Sequence, residues 1–493
     1  MNKLYKLIFS KTTLYVLLFL SFVFWAITLH NRFIENDEAI LGEYSYHFLK
    51  EGVVRLKTIP LILDWDERVF GHHRFFTWYG AGIIQVFGWS ITALKASIIP
   101  FYGLFLFLLY KYFKLEKFEN TYFLVGALLI LTCPILILKS FSFRPDIILM
   151  TEGMAILYLI RKYRVKQNLL YAAVAGGIAG LAFLTHLNGM AFCIAGFFFL
   201  LIRREFKALM GFVIAGAVIG GVYFIELIPD NNFERFIYEL TNWPTVNHGE
   251  NYIGGGIWGI IEGRIVKLLS EHQRFFWGDT VIAFSALFFS VLIFSFKSIK
   301  SQLGDVLLFL LLLILSLNLF GSHVAERYLL FYYGPMAVIT AYGVVMAVKN
   351  RVYWKLALFS AIFILQLVFA VKIFKEIRSY SYPTAETHKN ILAKIPNESA
   401  PKILAPCELI FNEFPHYDLY SFKTYEYLQE DMDDPMSHAQ LFQQAAELGM
   451  QYVIINDRMA RYKDNWFYQW QIDDNSLYKP FFKNDRYIIL KRI

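Results

Sequence analysis

An all-α polytopic membrane domain followed by a small α/β domain is the fold class this sequence predicts, and three observations predict it. Of the 493 residues, 57% are hydrophobic and 18% aromatic, and only 18% are charged, against about 25% charged in ordinary soluble domains. Apolar runs long enough to cross a bilayer recur from residue 12 to residue 374. Beyond them the chain turns polar and reads as an amphipathic helix, SHAQLFQQAAELGM, then a strand, QYVIIND at 451–457, and a last strand, RYIILKR. The net charge of +7 is therefore a topology signal to be read loop by loop and gives no support for nucleic-acid binding. Cys133 and Cys193 fall in apolar runs and Cys407 stands alone, so neither a disulfide framework nor a cysteine metal site is suggested.

Lys3, Lys6 and Lys11 precede the first apolar run as they would in a signal peptide. That run is too long for the core of one, and no small-x-small cleavage site follows, so it reads as an uncleaved span. About eleven spans are expected, over 12–30, 97–112, 120–138, 145–160, 169–186, 189–202, 208–227, 280–296, 304–320, 328–347 and 353–373. Basic residues then fall on alternate sides: Lys111, Lys114 and Lys117 after the second span, Arg161, Lys162, Arg164 and Lys166 after the fourth, Arg203, Arg204 and Lys207 after the sixth, Lys297 and Lys300 after the eighth, and Lys349, Arg351 and Lys355 after the tenth. By the positive-inside rule these loops and the N-terminus are cytoplasmic. The apolar stretch 76–93 would flip that parity if it spanned, so it is expected to dip into the outer leaflet or to pack on the other spans. The expected division is a membrane domain over 1–374, with outer loops 31–96 and 229–279, and an extracytoplasmic α/β domain over 375–493.

Directly after the first span comes NDEAILGEYSYHFLKEG, with Asp37 and Glu38 adjacent. Asn36 suits a helix N-cap, with both acids in a first turn where the macrodipole favours them. Ile40, Leu41, Tyr44 and Phe48 continue at helical spacing, as in an amphipathic surface helix. Other outer-side polar residues gather at span ends. Arg144, Pro145 and Asp146 open the fourth span, where Asp146 is as well explained by capping but Arg144 runs against the charge bias. Glu152 lies within that span, either functional or a neutral packing residue. His186 and Asn188 lie at another tip, and His323, Arg327 and Tyr328 gather before the tenth span. Arg327 and Tyr328 are equally at home as interface anchors. LDWDERVFGHHRFF carries Asp64, Asp66, Glu67, His72, His73 and Arg74, whose spacing matches no strong metal motif. A divalent metal therefore stays open, and no other cofactor is indicated. Trp243, His248, Tyr252, Gly254–Gly256 and Trp258 occupy the second outer loop, as interface anchors or a sugar-stacking platform.

This arrangement suits transfer of a sugar carried on a lipid phosphate. The phosphate is already a good leaving group, so the protein must supply a carboxylate to take a proton from the acceptor hydroxyl and cations to hold the departing charge. The segments NDEAILGEYSYHFLKEG, WYGAGIIQVFGWSITALKASIIPFYGLFLFLLYKYF, FSFRPDIILM, GLAFLTHLNGMAF and ERYLLFYYGPMAVITAYG, in this order, resemble the GT-C membrane glycosyltransferases. The likeness is to the branch of protein O-mannosyltransferases, aminoarabinose transferases and RgtA/B/C/D-like proteins. It implies a catalytic acid at Asp37, beside Glu38, and a second important acid at Asp146. His72-His73-Arg74 stands where that family often has Lys-Pro-Pro, so His73 or Arg74 would replace its lysine. The donor phosphate is then expected on Arg74, His73, Arg144, Arg327 and Tyr328, with His186, Asn188 and His323 near substrate. The expectation is an inverting, polyprenyl-phosphate-sugar-dependent transferase of a bacterial plasma membrane, acting on a lipid, glycan or protein acceptor at the outer face. One rival is a transporter or flippase for lipid-linked glycans, which would show internal repeats and midplane charges. Another is a non-catalytic scaffold, which would need no acid pair.

Overall fold

The structure, a computed structural model, describes residues 10–31, 34–229, 231–244, 256–321, 324–379, 385–396, 400–430, 436–461, 465–470 and 477–493. It is a multi-pass helical membrane domain with a small sheet at its C-terminal end. The helices are α1 (Lys11–Ile27), α2 (Asn36–Glu51), α3 (Arg74–Phe87), α4 (Ile91–Ala96), α5 (Ile99–Leu115), α6 (Asn120–Leu131), α7 (Pro134–Lys139), α8 (Asp146–Lys166), α9 (Leu169–Thr185), α10 (Met190–Ile202), α11 (Phe206–Gly221), α12 (Asn232–Asn242), α13 (Gly256–Leu269), α14 (Glu271–Phe276), α15 (Ile282–Phe320), α16 (Tyr333–Lys349) and α17 (Tyr353–Ser379). By length and composition, 91–115, 206–227, 282–319, 326–349 and 353–379 can each cross a membrane, and shorter apolar helices cover 11–27, 120–131, 169–185 and 187–202.

The expected spans map onto these helices with local differences. The span expected over 120–138 is broken into α6 and α7, because Pro134 opens α7 and disfavours helical backbone at Cys133. The spans expected over 280–296 and 304–320 merge into α15, which is interrupted at Leu303 (φ −123°, ψ 27°). An unbroken helix of that length would reach about 58 Å. Yet Thr280, just before it, donates a 2.8 Å hydrogen bond to Glu326, and Gly321, just after it, lies within about 18 Å of Glu326 along the chain. The chain therefore doubles back at Leu303, as two antiparallel arms.

That reversal carries Asp305 to the end of the bundle where the basic loops collect. Asp305 pairs with Arg161 at 3.2 Å, with Arg164, and with Arg203 at 2.7 Å, while Arg161 also binds Glu116 and Lys349 binds Glu119 at 2.7 Å. The basic loops expected on one side do share one end of the molecule. The stretch 76–93 leaves and returns at the opposite end: His73 stacks on His186 before it, and Lys95 meets Glu38 at 3.4 Å after it. Helices α9 and α11 touch through glycines, and a Cβ on Gly176 would lie 2.0 Å from the Phe212 carbonyl oxygen.

The C-terminal sheet has the strand order β2-β1-β3-β5-β4, from β1 (Ile403–Ala405), β2 (Leu419–Ser421), β3 (Tyr452–Asn456), β4 (Tyr478–Lys483) and β5 (Tyr487–Arg492). The first three are parallel, and β5 runs antiparallel to β3 and to β4. Every residue of β3 is buried, as a central strand covered on both faces requires. The observed β3, β5 and helix α21 (His438–Glu447), which follows α18 (Ala385–Leu392), α19 (Cys407–Glu413) and α20 (Lys423–Glu430), fall on the segments expected from sequence. This unit rests on α2 and its surroundings. Phe411 of α19 seats against Gly42, where a Cβ would meet its ring at 2.6 Å, Trp89 donates to the Phe411 carbonyl at 3.1 Å, and the Ser421 amide donates to Thr58 at 2.7 Å.

Candidate active site

The start of α2 differs from expectation in its cap. Glu35, not Asn36, is the N-cap residue, and the Glu38 carboxylate reaches back to accept from the Glu35 amide at 2.8 Å. The other oxygen of Glu38 accepts from the Phe143 amide at 2.6 Å. Glu38 is fully buried and has both oxygens engaged, so it does not open toward substrate as a catalytic acid would. It ties the start of α2 to the loop that delivers Arg144.

Asp37 faces the other way, and its side chain is 42% exposed. The Arg144 guanidinium, 6% exposed, pairs with Asp37, lies 3.3 Å from Glu35 and donates through Nε to Asp146 at 2.8 Å. Asp146, at the start of α8, is 4% exposed. Arg327 approaches Asp37 at 3.4 Å, and Lys139 pairs with Glu35. Glu35, Asp37 and Asp146 are thus balanced by Lys139, Arg144 and Arg327. Burial alone would raise the Asp37 pKa, but Arg144 and Arg327 outweigh it and hold the carboxyl well below the usual carboxylate range. Glu35 is held down in the same way, with burial opposed by Lys139 and Arg144. Segments far apart in sequence therefore converge on one exposed carboxylate.

The histidines form the adjoining wall. The His73 and His186 rings stack at 4.2 Å, and the His186 ring meets Tyr328 edge-on at 5.9 Å. Burial first, then the Arg144 charge, pushes the His73 pKa down to about 4. At neutral pH it is an uncharged ring and does not supply the cation expected at this position. The Asn188 backbone N–H donates to His186 Nδ1 at 3.0 Å, so the local turn, not the Asn188 side chain, orients that ring. Arg74 is a correction: it is fully buried, paired with Glu226 and stacked over Tyr223 at 4.4 Å, outside the Asp37 cluster. Its side chain runs to the 3-10 turn Val222–Leu227 that follows α11, which carries both partners. His323 lies outside the described residues, as do His248, Tyr252, Gly254 and Gly255.

None of the remaining candidates among the described residues is shown in contact with the Asp37 carboxylate. Asp64 lies 3.8 Å from Arg235, and no cluster of three or more His, Cys, Asp or Glu fit to hold a metal ion occurs among the described residues. Trp243 packs on Trp65 at 4.5 Å, so it is no open platform, whereas Trp258 is 79% exposed. Glu152 is buried and accepts from Thr185 at 2.8 Å. Arg274 was missed from sequence altogether. It is fully buried behind Tyr328, with its guanidinium carbon 5.7 Å from that ring. The only signal was an arginine in an aromatic outer loop, which also describes an interface anchor.

The fold defines the class: this is the GT-C architecture of multi-pass membrane glycosyltransferases, and the likeness seen in the sequence to the mannosyltransferase and aminoarabinose transferase branch holds at the level of fold. Residues 72–226 match the family of dolichyl-phosphate-mannose-protein mannosyltransferases. The structure of ArnT from Cupriavidus metallidurans bound to undecaprenyl phosphate is similar over 98% of this chain and 99% of that one, at 12% identity and a TM-score of 0.59. The Archaeoglobus fulgidus oligosaccharyltransferase tethered to an acceptor peptide is similar over 92% of this chain and 70% of that one, at 11% identity and a TM-score of 0.57. The same archaeal enzyme, AglB, with an inhibitory peptide and a dolichol-phosphate, gives 91% and 70% coverage, 12% identity and a TM-score of 0.52. No curated protein sequence matches the chain.

Proposed function

We propose that this protein is an integral membrane glycosyltransferase that moves a sugar from a polyprenyl-phosphate donor to a hydroxyl-bearing acceptor. The acceptor is a lipid, glycan or protein at the outer face of a bacterial plasma membrane, with the N-terminus and basic loops cytoplasmic and the C-terminal sheet outside. The observation that carries the reading is Asp37, an exposed carboxylate at the end of the bundle opposite the basic loops, flanked by two guanidiniums. The similar structures named above, solved with undecaprenyl phosphate, dolichol-phosphate or an acceptor peptide, support a lipid-linked donor.

In this mechanism Asp37 accepts the proton of the acceptor hydroxyl as its oxygen attacks the anomeric carbon. The bond from that carbon to the phosphate oxygen breaks, the lipid phosphate departs, and a single displacement inverts the sugar carbon. A carboxylate held strongly acidic is a weak base. Arg327 is 35% exposed and makes the longer contact to Asp37, so a donor phosphate can draw it away and return basicity to Asp37. Arg144, buried against Asp146, stays in place and keeps the carboxylate oriented. Arg327, Arg144 and Tyr328 then face the phosphate, with His73 and His186 as an uncharged wall. Purified protein in nanodiscs with radiolabelled polyprenyl-phosphate sugars tests the reading. Asp37→Asn should abolish transfer while leaving donor binding largely intact, and near-normal turnover would return Asp37 to a helix-start role.

A further inference from the structure

The histidine wall hangs on a short loop that is held from outside its own segment. His73 caps the start of α3, and its ring stacks on His186, which meets Tyr328 edge-on. The loop before it is fastened at Val69, whose amide donates to the Val54 carbonyl at 2.8 Å. The next two amides go to one carboxylate. Phe70 donates to Glu239 Oε1 at 3.0 Å and to Oε2 at 2.9 Å, and Gly71 donates to Oε2 at 2.7 Å. Successive N–H groups aimed at one point form a nest that favours an anion, and charge-assisted hydrogen bonds are the strong ones. Glu239, on α12, is buried, which shields the contact from water. Gly71 lets it come close, since a Cβ there would lie 3.3 Å from Glu239 Oε2 and 3.4 Å from Trp243. Phe236, also on α12, packs in the same buried apolar cluster as Phe70 and Tyr223. The Tyr223 hydroxyl meets the Phe70 and His72 carbonyls at 3.3 Å and 3.4 Å.

We propose that Glu239 is a positioning residue of the site: its carboxylate fills the Phe70–Gly71 nest and so sets the His73–His186 wall against Tyr328. The inference rests on the proposed transferase reading and adds a residue of the second outer loop that the reading does not use. The line of contacts continues to the proposed base, because the Arg327 guanidinium lies 5.3 Å from the Tyr328 ring centre and 3.4 Å from Asp37. Charged and titratable groups face Glu239 from each element packed on it. Arg68 of the loop and Arg235 of α12, itself 3.8 Å from Asp64, attract the carboxylate, and the phenols of Tyr44 on α2 and Tyr223 after α11 lie near it. Burial outweighs the amides and arginines and pushes the Glu239 carboxyl up to about 7. Above that value the nest holds a full carboxylate. Below it one oxygen carries a proton, and the nest is left with a weaker, neutral acceptor. Asp37 is held well below the carboxylate range, and burial keeps His72 low and His73 at about 4, so these neighbours do not titrate near neutrality.

Amide hydrogen exchange of the full chain in nanodiscs tests the placement without any substrate. The Phe70 and Gly71 amides report the nest, and the Asn188 amide, held by His186 Nδ1 at 3.0 Å, reports the far side of the ring stack. Glu239→Gln keeps the shape and removes the charge. At alkaline pH it should lower protection of Phe70 and Gly71 about fivefold, and protection of Asn188 should fall with it. Unchanged protection at Phe70 and Gly71 would overturn the proposal. So would a loss there with none at Asn188, which would leave Glu239 serving only its own loop. Turnover with a radiolabelled polyprenyl-phosphate sugar is the second readout. Wild-type kcat should rise with pH through about 7. Glu239→Gln should give a flat profile, about fivefold lower at the alkaline end, with the donor KM little changed. Glu239→Asp keeps the charge and should restore part of kcat together with the pH dependence. A role in stability alone would lower the yield of folded protein without flattening the profile, and a wild-type profile in Glu239→Gln would overturn the positioning role. If Glu239→Gln does not fold, exchange in the wild type on either side of neutrality makes the same comparison, and equal protection after correction for intrinsic rates refutes the proposal. If no sugar is transferred by any donor, the transferase reading falls, while exchange at Asn188 still decides whether Glu239 sets the wall.

Discussion

Replacing Arg144 with glutamine isolates the electrostatics of the cluster. The guanidinium is 6% exposed and contacts Glu35, Asp37 and Asp146, and Asp146 is 4% exposed. Removing one partner of a buried pair costs about 3–5 kcal/mol, because the other charge is left uncompensated. Asp146 carries most of that cost. Asp37, at 42% exposure, is solvated enough that its share is on the order of a surface pair, about 1 kcal/mol or less. The total expected for Arg144→Gln is therefore about 3–5 kcal/mol at pH 7, read as a loss of thermal stability in detergent. The pH dependence carries the sign. Asp37 and Glu35 have depressed pKa values in the fold, with Arg144 among the causes. Their contribution is present above the ordinary carboxylate range and is lost as pH falls through and below it. The wild type should thus lose stability on acidification more steeply than the variant, and the gap between them should narrow. Adding Asp146→Asn to Arg144→Gln should recover part of the loss. A destabilisation that is the same at pH 7 and in the carboxylate range, and untouched by Asp146→Asn, would refute the account and leave only lost packing.

Arg327→Lys should weaken donor affinity clearly if a planar fork is needed, with Tyr328→Phe as a control that keeps the ring; normal binding of both polyprenyl-phosphate sugar and polyprenyl phosphate would make Arg327 an interface anchor. A reporter active only outside the cytoplasm should be active when fused after Lys375 and silent after Lys166, and the reverse pattern would invert the proposed orientation. Gly176→Ala should destabilise the α9–α11 pair by at least about 1–3 kcal/mol, the cost of overpacking, since its methyl would collide with backbone at Phe212; unchanged thermal stability would mean the helices are not in register as described.

Much of the fold was legible because bilayer crossing demands long apolar runs, and basic loops declare their side. The breaks were legible in part. Pro134 marks the end of α6 but not the start of a second short helix, whereas the reversal at Leu303 falls between the spans expected over 280–296 and 304–320, beside the basic pair Lys297 and Lys300. At the site, Asp37, Asp146, Arg144 and Arg327 stand out in sequence as charges at span ends. Their roles relative to one another do not. Glu38 is chemically the twin of Asp37, and only the direction of its carboxylate, toward the Phe143 amide, separates them. Arg74 sits beside His73 in the chain, yet a single residue step at the helix start sends it to Glu226. Arg274 was invisible because its burial behind Tyr328 exists only in the folded neighbourhood.

The seat of Phe411 on Gly42 has a consequence in time. The helix that bears Asp37 leaves the ribosome several hundred residues before the aromatic ring that covers its glycine. In that interval Tyr46, within the helix, and Trp89, which packs on it, lack the Phe414 and Phe411 rings they finally meet. The helix of the proposed base is thus supported by a partner made long after it, and a chain stopped between the two holds the acid without that support.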